Sequence, residues 1–544
     1  MQRAILWFVL SAAASAAMGQ GAGAPKPVQE LMPVSQARDG FTAEQSYRLR
    51  QGFSSATAYN TVDQNLYYFL HWEEFLPHHI IRRGGPVREL PSSPDAQLGQ
   101  VKARTSLGEL TLDQLLDDPR SRVQGFIVLH KGRIVYEKYP GMRADDHHLW
   151  FSSSKSVAGL LVGLLEAEGK IDVQRPIDAY MPELASTHWR GIRVIDILDM
   201  ASGLEVAETE ESRTDPRSLV NHFFRVELSD TSNVGGQTSD QILSSVGRKS
   251  EPGKRFEYSS LNTKMLGNLI ERVSGRRLAD FLSDRVWSKI GAEHDAMIGL
   301  NPWGGASIPG MISSTLRDKA RYGLIYTPSW PAVSSERIVP QALIDRTRRE
   351  CRPELLANAS SARASTTAQK DRPRCNSRQW DAIYADGDMY KGGARGQGIY
   401  VSPDADYVVA WFSTTQESGW VAYARAMRDV LQASSKVAEK PALHETELAS
   451  IDLGAHFDAL VARRMRMNRA IVDPGASGSV HSHQGRPEIV HVIKGTLTEH
   501  QGGTSRSYGP GETFVSNPRA DVPHQIENAG REQVEVLLVE IPPP

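Results

Sequence analysis

Ser152 and Lys155 are the residues whose types and spacing most directly suggest chemistry in this chain. They lie in Trp150-Phe151-Ser152-Ser153-Ser154-Lys155-Ser156, which runs straight into the apolar segment Val157-Ala158-Gly159-Leu160-Leu161-Val162-Gly163-Leu164-Leu165. Small hydroxyl residues before a long apolar run read as the N-terminus of a buried helix. Residues three apart share a helical face, so the serine and the lysine point the same way. A serine hydroxyl attacks a carbonyl only when a neighbour accepts its proton. Lysine accepts it in the neutral form, and burial at the positive end of a helix disfavours the ammonium. A chain this rich in serine and lysine contains about one S-x-x-K pair by chance, so the weight falls on what accompanies it.

Two further stretches do. In Gly253-Lys254-Arg255-Phe256-Glu257-Tyr258-Ser259-Ser260-Leu261-Asn262, Tyr258 stands on a loop just before the helix-like run Met265–Ile270. There it can exchange protons with the nucleophile if Lys155 lowers its pKa; the plainer alternative is a buried tyrosine satisfied by the backbone. In Met389-Tyr390-Lys391-Gly392-Gly393-Ala394-Arg395-Gly396-Gln397-Gly398, a glycine-rich entry leads into the strand-like runs Ile399–Val401 and Tyr407–Phe412. Glycines let a backbone approach a ligand, and a backbone N–H there can complete an oxyanion hole with that of Ser152. Lys391 then offers positive charge to a substrate carboxylate or a transition state; the alternative is a glycine turn with a solvated lysine.

Ser152-x-x-Lys155, Tyr258-Ser259-Ser260 and Lys391-Gly392-Gly393, in this order, resemble the three motifs of the beta-lactamase-related serine hydrolases. These include class C beta-lactamases, D-alanyl-D-alanine carboxypeptidases, family VIII esterases and 6-aminohexanoate-dimer hydrolases. The resemblance covers about Val123 to Leu431. It implies an α+β fold, an antiparallel sheet flanked by helices plus a helical subdomain, with the active site between them. It also implies an acyl-enzyme on Ser152, proton transfer by Lys155 and Tyr258, substrate contacts from Ser260, Lys391, Gly392 and Gly393, and no cofactor. Ser260 stands where class C enzymes carry asparagine, and Gly392 where threonine or serine is usual. Both departures favour an esterase or amidase for small substrates over a beta-lactamase, and the run around Ser152 looks closest to the 6-aminohexanoate-dimer hydrolases.

Beyond Leu431 the texture changes to short Val/Ile-rich strands separated by Gly and Pro turns, as in a small β-barrel. It contains Gly475-x5-His481-x-His483-x4-Glu488-x6-Gly495 and later Gly511, Pro518 and His524-x3-Asn528. Residues two apart in a strand share a face, so His481 and His483 point inward together. With Glu488 and His524 they make a set of nitrogen and oxygen ligands suited to manganese, iron, nickel or zinc. This pattern resembles the cupin superfamily over roughly Arg463 to Ile541. The resemblance implies an all-β cupin barrel and a divalent transition metal, with a barrel that keeps its histidines without metal as the alternative. A homodimer through the cupin is a further expectation.

The positioning elements follow. The 544 residues suit about three domains. Residues 1–24 have the three-part form of a signal peptide, with cleavage after Gly19 or Ala24, so the mature chain is expected to be secreted or periplasmic without a membrane anchor. Residues 25–100 read as an extension wrapping the next domain, with Tyr67, Tyr68, Phe69 and Trp72 as packing residues. The hydrolase domain spans 101–431, a linker 432–445 and the cupin 446–544. With 62 basic and 64 acidic residues, nothing points to nucleic acid as a partner. Cys351 and Cys375 form either a disulfide or two free thiols. The leading expectation is an exported serine hydrolase acting on a small ester or amide. The rivals are a slow ligand-trapping sensor and a cupin metalloenzyme with a vestigial hydrolase domain.

Overall fold

The apolar run Val123–His130 forms strand β1, buried along nearly its whole length, as a central strand with layers on both faces must be. It pairs with β2 (Arg133–Lys138) through the tight turn at Lys131-Gly132. Five later strands complete an antiparallel sheet: β3 (Cys375–Ser377), β4 (Trp380–Ile383), β5 (Met389–Gly393), β6 (Gln397–Ser402) and β7 (Tyr407–Ser413). Their order is β2-β1-β7-β6-β5-β4-β3, so the chain leaves the sheet after β2 and returns at the far edge. The computed structural model describes residues 32–54, 63–228, 236–357, 372–415, 419–438, 443–483, 486–516 and 522–542. The expected signal peptide lies outside the described residues.

Between β2 and β3 come the helices that carry the first two motifs. Helix α1 (Lys155–Ala167) is buried from Lys155 to Leu165, as an apolar helix without a polar face must be. A Cβ at Gly159 would stand 2.1 Å from the carbonyl oxygen of Arg378, so glycine lets α1 pass flush against the turn between β3 and β4. Helix α2 (Ser260–Ser274) is capped by the Ser259 hydroxyl, which accepts from the Leu261 N–H, and ends at Gly275 with φ +67°. Helix α3 (Leu316–Leu324) packs on the main sheet.

The N-terminal extension is built into the fold. His78–Ile81 pairs with Ala296–Gly299 at the edge of a second antiparallel sheet that also holds Ile312–Ser314 and His148–Leu149. Tyr67, Tyr68, Phe69 and Trp72 pack against Leu149 and Met311, as expected for packing residues. Cys351 and Cys375 form a disulfide, which decides between the two expectations for them.

The chain divides into two compact units, Met1–Ala424 and Arg425–Pro544. The linker expected at 432–445 is corrected: residues 432–438 continue the helix Trp420–Ala438, and β8 (Leu443–Asp452) follows. Gln432-Ala433-Ser434-Ser435-Lys436-Val437-Ala438 contains no glycine or proline, so a helix already formed propagates through it. Residues 439–442 lie outside the described residues. The second unit adds β9 (Arg464–Val472), β10 (Glu488–Lys494), β11 (Leu497–Gln501), β12 (Thr504–Tyr508), β13 (Thr513–Ser516), β14 (His524–Glu527) and β15 (Val534–Glu540). They form a five-stranded sheet β8-β9-β15-β10-β13 and a three-stranded sheet β12-β11-β14 around a core that includes Val472, Val490, Val492, Leu497 and Val536.

Candidate active site

Ser152 lies in a 3₁₀ turn, Phe151–Ser154, that leads directly into α1. Phe151 just before it has φ +46°, a left-handed conformation that a bulky residue adopts only when its surroundings impose it. Here the Trp150 N–H donates to the Ile312 carbonyl at 2.8 Å, and the Phe151 ring meets Phe69 edge-on at 4.7 Å. The extension therefore helps to hold the turn that presents the serine.

Lys155 Nζ lies 3.0 Å from Ser152 Oγ, 2.9 Å from Ser260 Oγ and 2.7 Å from the Pro309 carbonyl oxygen. These three acceptors match the three protons of an ammonium, yet the amine is completely buried. Burial lowers its pKa to about 7; the Glu208 carboxylate opposes that shift and the Lys391 ammonium adds to it. A neutral amine at hydrogen-bond distance from a serine hydroxyl is the pairing needed for attack on a carbonyl.

Tyr258 is buried, and its ring centroid lies 5.2 Å from Lys155 Nζ and 4.9 Å from Lys391 Nζ. Ser260, expected to contact substrate, has its hydroxyl on Lys155 and its N–H on the Glu208 carboxylate. Lys391 is not the solvated lysine that was the alternative for it. It is fully buried, and its Nζ pairs with Asp381 Oδ1 at 2.5 Å, so its charge is already met by a carboxylate. Asp381 Oδ2 also accepts the Gly392 N–H at 3.1 Å. A side chain at Gly392 would begin 2.6 Å from the Tyr390 hydroxyl, so a larger residue there requires Tyr390 to move. At Gly393 a Cβ would stand 2.5 Å from the Trp150 carbonyl oxygen, and Ser153 Oγ donates to the Lys391 carbonyl at 3.4 Å. Strand β5 thus runs directly beside the turn that carries Ser152.

The three motifs therefore converge, and three groups not anticipated join them. Glu208 has a fully buried side chain; burial works against its charge, but Arg213, Lys155 and the Ser260 side chain hold its pKa below the usual carboxylate range. Asp381 is the charged residue in the otherwise apolar Trp380-Asp381-Ala382-Ile383, the one signal that could have revealed it. Pro309 contributes a backbone oxygen, which no side-chain motif marks.

A beta-lactamase family model matches residues 111–434, more than half of the chain. The chain belongs to the beta-lactamase family. A cupin domain model matches residues 468–540. The 6-aminohexanoate-dimer hydrolase of Paenarthrobacter ureafaciens is 28% identical over 67% of this chain and 88% of its own length. A Bacillus anthracis structure provisionally named a 6-aminohexanoate-dimer hydrolase has a TM-score of 0.58 and 22% identity, covering 69% of this chain and 95% of that one. Salmonella proteins provisionally named D-alanyl-D-alanine carboxypeptidases are 23% identical over 39% of this chain and 51% of their own length. This beta-lactamase-family chain is a serine hydrolase of the esterase and amidase kind, joined to a cupin domain, with an α+β hydrolase fold.

In the cupin, His481, His483 and His524 bring ring nitrogens within 4.8 Å of one another. His483 Nε2 and His524 Nε2 are 2.8 Å apart, while the other nitrogens are engaged outward: His481 Nδ1 with the Ser479 carbonyl, His483 Nδ1 with the Arg486 carbonyl, and His524 Nδ1 with Glu499 at 2.7 Å. Burial and the neighbouring imidazoles lower the His483 pKa to about 4, which keeps it neutral as a ligand must be. This donor set fits a divalent transition metal. Glu488 stands beside it, Oε2 3.3 Å from His483 Nε2, without joining the three converging donors, and burial raises its pKa to about 7.

Proposed function

We propose that this protein is an exported serine hydrolase that cleaves an ester or amide of a small substrate through an acyl-enzyme on Ser152. One observation carries the reading: a buried amine, its pKa lowered to about 7, stands 3.0 Å from the serine hydroxyl. Ser152 Oγ attacks the carbonyl carbon as Lys155 Nζ accepts its proton. The Tyr258 hydroxyl, on a ring close to both Lys155 Nζ and Lys391 Nζ, passes that proton on to the leaving group. The N–H groups of Ser152 and of the chain following Gly393 receive the oxyanion. Water then attacks the acyl carbon and Ser152 departs with its proton restored.

Gly392 and Ser260 favour linear esters and amides over beta-lactams, and the Paenarthrobacter ureafaciens relative, named for a 6-aminohexanoate dimer, makes short amides of amino acids the substrate class to try first. The disulfide supports an oxidising compartment and thus export. In the cupin, His481, His483 and His524 would hold a divalent transition metal, which would supply Lewis acidity there.

The test is intact-mass spectrometry after brief exposure to a fluorophosphonate, with nitrophenyl ester turnover measured alongside. One adduct, absent from Ser152→Ala, with turnover by the parent alone, is expected. Chelation should strip metal from the chain and leave ester turnover intact. Full turnover by Ser152→Ala would sink the reading, and turnover lost to the chelator instead would move the chemistry to the cupin.

A further inference from the structure

The Pro309 carbonyl makes the shortest contact to Lys155 Nζ, so whatever fixes that carbonyl helps to set the state of the amine. Pro309 lies within a tight turn, in which the Gly310 and Met311 N–H groups both return to the Ser307 carbonyl. Upstream, the loop from Asn301 is closed by its own side chain, whose Oδ1 accepts the Trp303 and Gly305 N–H groups at 3.1 and 2.9 Å.

Beneath this loop lies a buried carboxylate that the reaction does not use. Glu227 is 4% exposed and ends the helix Leu219–Glu227. Its Oε2 accepts from Ser307 Oγ at 2.5 Å, and its Oε1 accepts from Asn301 Nδ2 at 3.1 Å and from the Ser239 hydroxyl. Lys264 Nζ stands 3.4 Å from the same carboxylate and donates to the Ala306 carbonyl at 2.9 Å. Lys264 follows Ser260 by one turn of α2, so a single helical face carries a hydroxyl to Lys155 and an ammonium to the loop. Asn301, Ala306 and Ser307 are thus all tied to one buried ion pair, and Pro309 is two residues from the last of them.

We propose that Glu227 is a positioning residue for the catalytic amine: paired with Lys264, it fixes Ser307 and so holds the turn that presents the Pro309 carbonyl to Lys155. This rests on the reading of Lys155 as the proton acceptor. A carbonyl accepting from an ammonium favours the charged form. Release of the turn therefore leaves Lys155 easier to deprotonate.

The experiment uses the full chain and the variants Glu227→Gln and Ser307→Ala. The second removes one hydroxyl, keeps the ion pair, and decides the matter if the first does not fold. Two quantities are measured. One is the titration of Lys155 Nζ by nitrogen NMR on lysine-labelled protein, assigned with Lys155→Arg. The other is the pH profile of kcat/KM for 4-nitrophenyl acetate. Both midpoints should move down together by about one pH unit in each variant. A fall in rate with both midpoints unmoved would show a merely structural role and overturn the proposal. A shifted titration in an enzyme whose parent profile has no acid limb would uphold the positioning role while refuting Lys155 as the base.

Discussion

Under the proposed mechanism Lys155 ties the pH dependence of catalysis to that of stability, and the two can be read on one variant. Its pKa falls from 10.5 to about 7, chiefly because burial penalises the ammonium. A shift of that size corresponds to roughly 5 kcal/mol between the two protonation states. An ordinary lysine is neutral in only about one molecule in several thousand at pH 7, whereas here about half are. kcat/KM for a nitrophenyl ester should therefore be level above pH 8 and fall about tenfold per unit below pH 7. Lys155→Arg keeps a charge that cannot be removed, so it should be inactive at every pH from 5 to 9. Stability follows with a definite sign. Between pH 7 and 10.5 the unfolded lysine holds a proton that the folded one has released, so stability rises with pH through this window, by about 1.4 kcal/mol per unit. Below pH 7 the full cost of the buried ammonium is present. Lys155→Met removes that cost but also three hydrogen bonds worth about 1 kcal/mol each, leaving a net gain of about 2 kcal/mol at pH 6. Denaturant midpoints of parent and variant at pH 6 and pH 9 measure the gap, which should narrow or reverse at the higher pH. A flat rate profile from pH 5 to 8, with a stability gap that ignores pH, would refute the reasoning.

Two other predictions concern groups around the site. Asp381→Asn leaves Lys391 fully buried without its counter-ion; because Asp381 is itself 24% exposed on its side chain, the loss should be about 2 kcal/mol, below the usual cost of breaking a fully buried pair. Asp381→Asn combined with Lys391→Met should be less destabilised than the two single changes together, and strict additivity in denaturant unfolding would contradict the pairing. Reduction of Cys351–Cys375, or Cys351→Ser with Cys375→Ser, reopens a span of 24 residues and should cost about 3 kcal/mol, measured as a lower denaturant midpoint in the reduced protein.

What could be read from the sequence divides along a physical line. Ser152 and Lys155 were legible because one helical turn sets their relation, and a period of 3.6 residues is written into the chain itself. Tyr258 and the Lys391 strand were legible as local arrangements, a loop before a helix and a glycine-rich entry to a hairpin. His481 and His483 were legible by type and spacing, although neither lies in a strand: His481 makes only an isolated bridge to His524, and His483 stands in the loop before β10. The groups that determine how those residues behave were not. Asp381 meets Lys391 only because β4 and β5 pair in one register, with Ala382 opposite Tyr390. Glu208 reaches Ser260 across 52 residues, from a run of acids in which no spacing distinguishes it. The Pro309 oxygen belongs to the backbone and has no residue-type signature at all. The misread linker has the opposite origin: 432–445 was expected to be a linker, while helix propagation through Gln432–Ala438 needed only the absence of a breaker. The pairing of Ser152 with Lys155 is thus a local property, whereas the lowered pKa of Lys155 arises from burial and from partners brought in by distant pairing. A substitution at Ser152 tests the first, while substitutions at residues outside the motifs, such as Glu208, Asp381, Glu227 or Ser307, test the second.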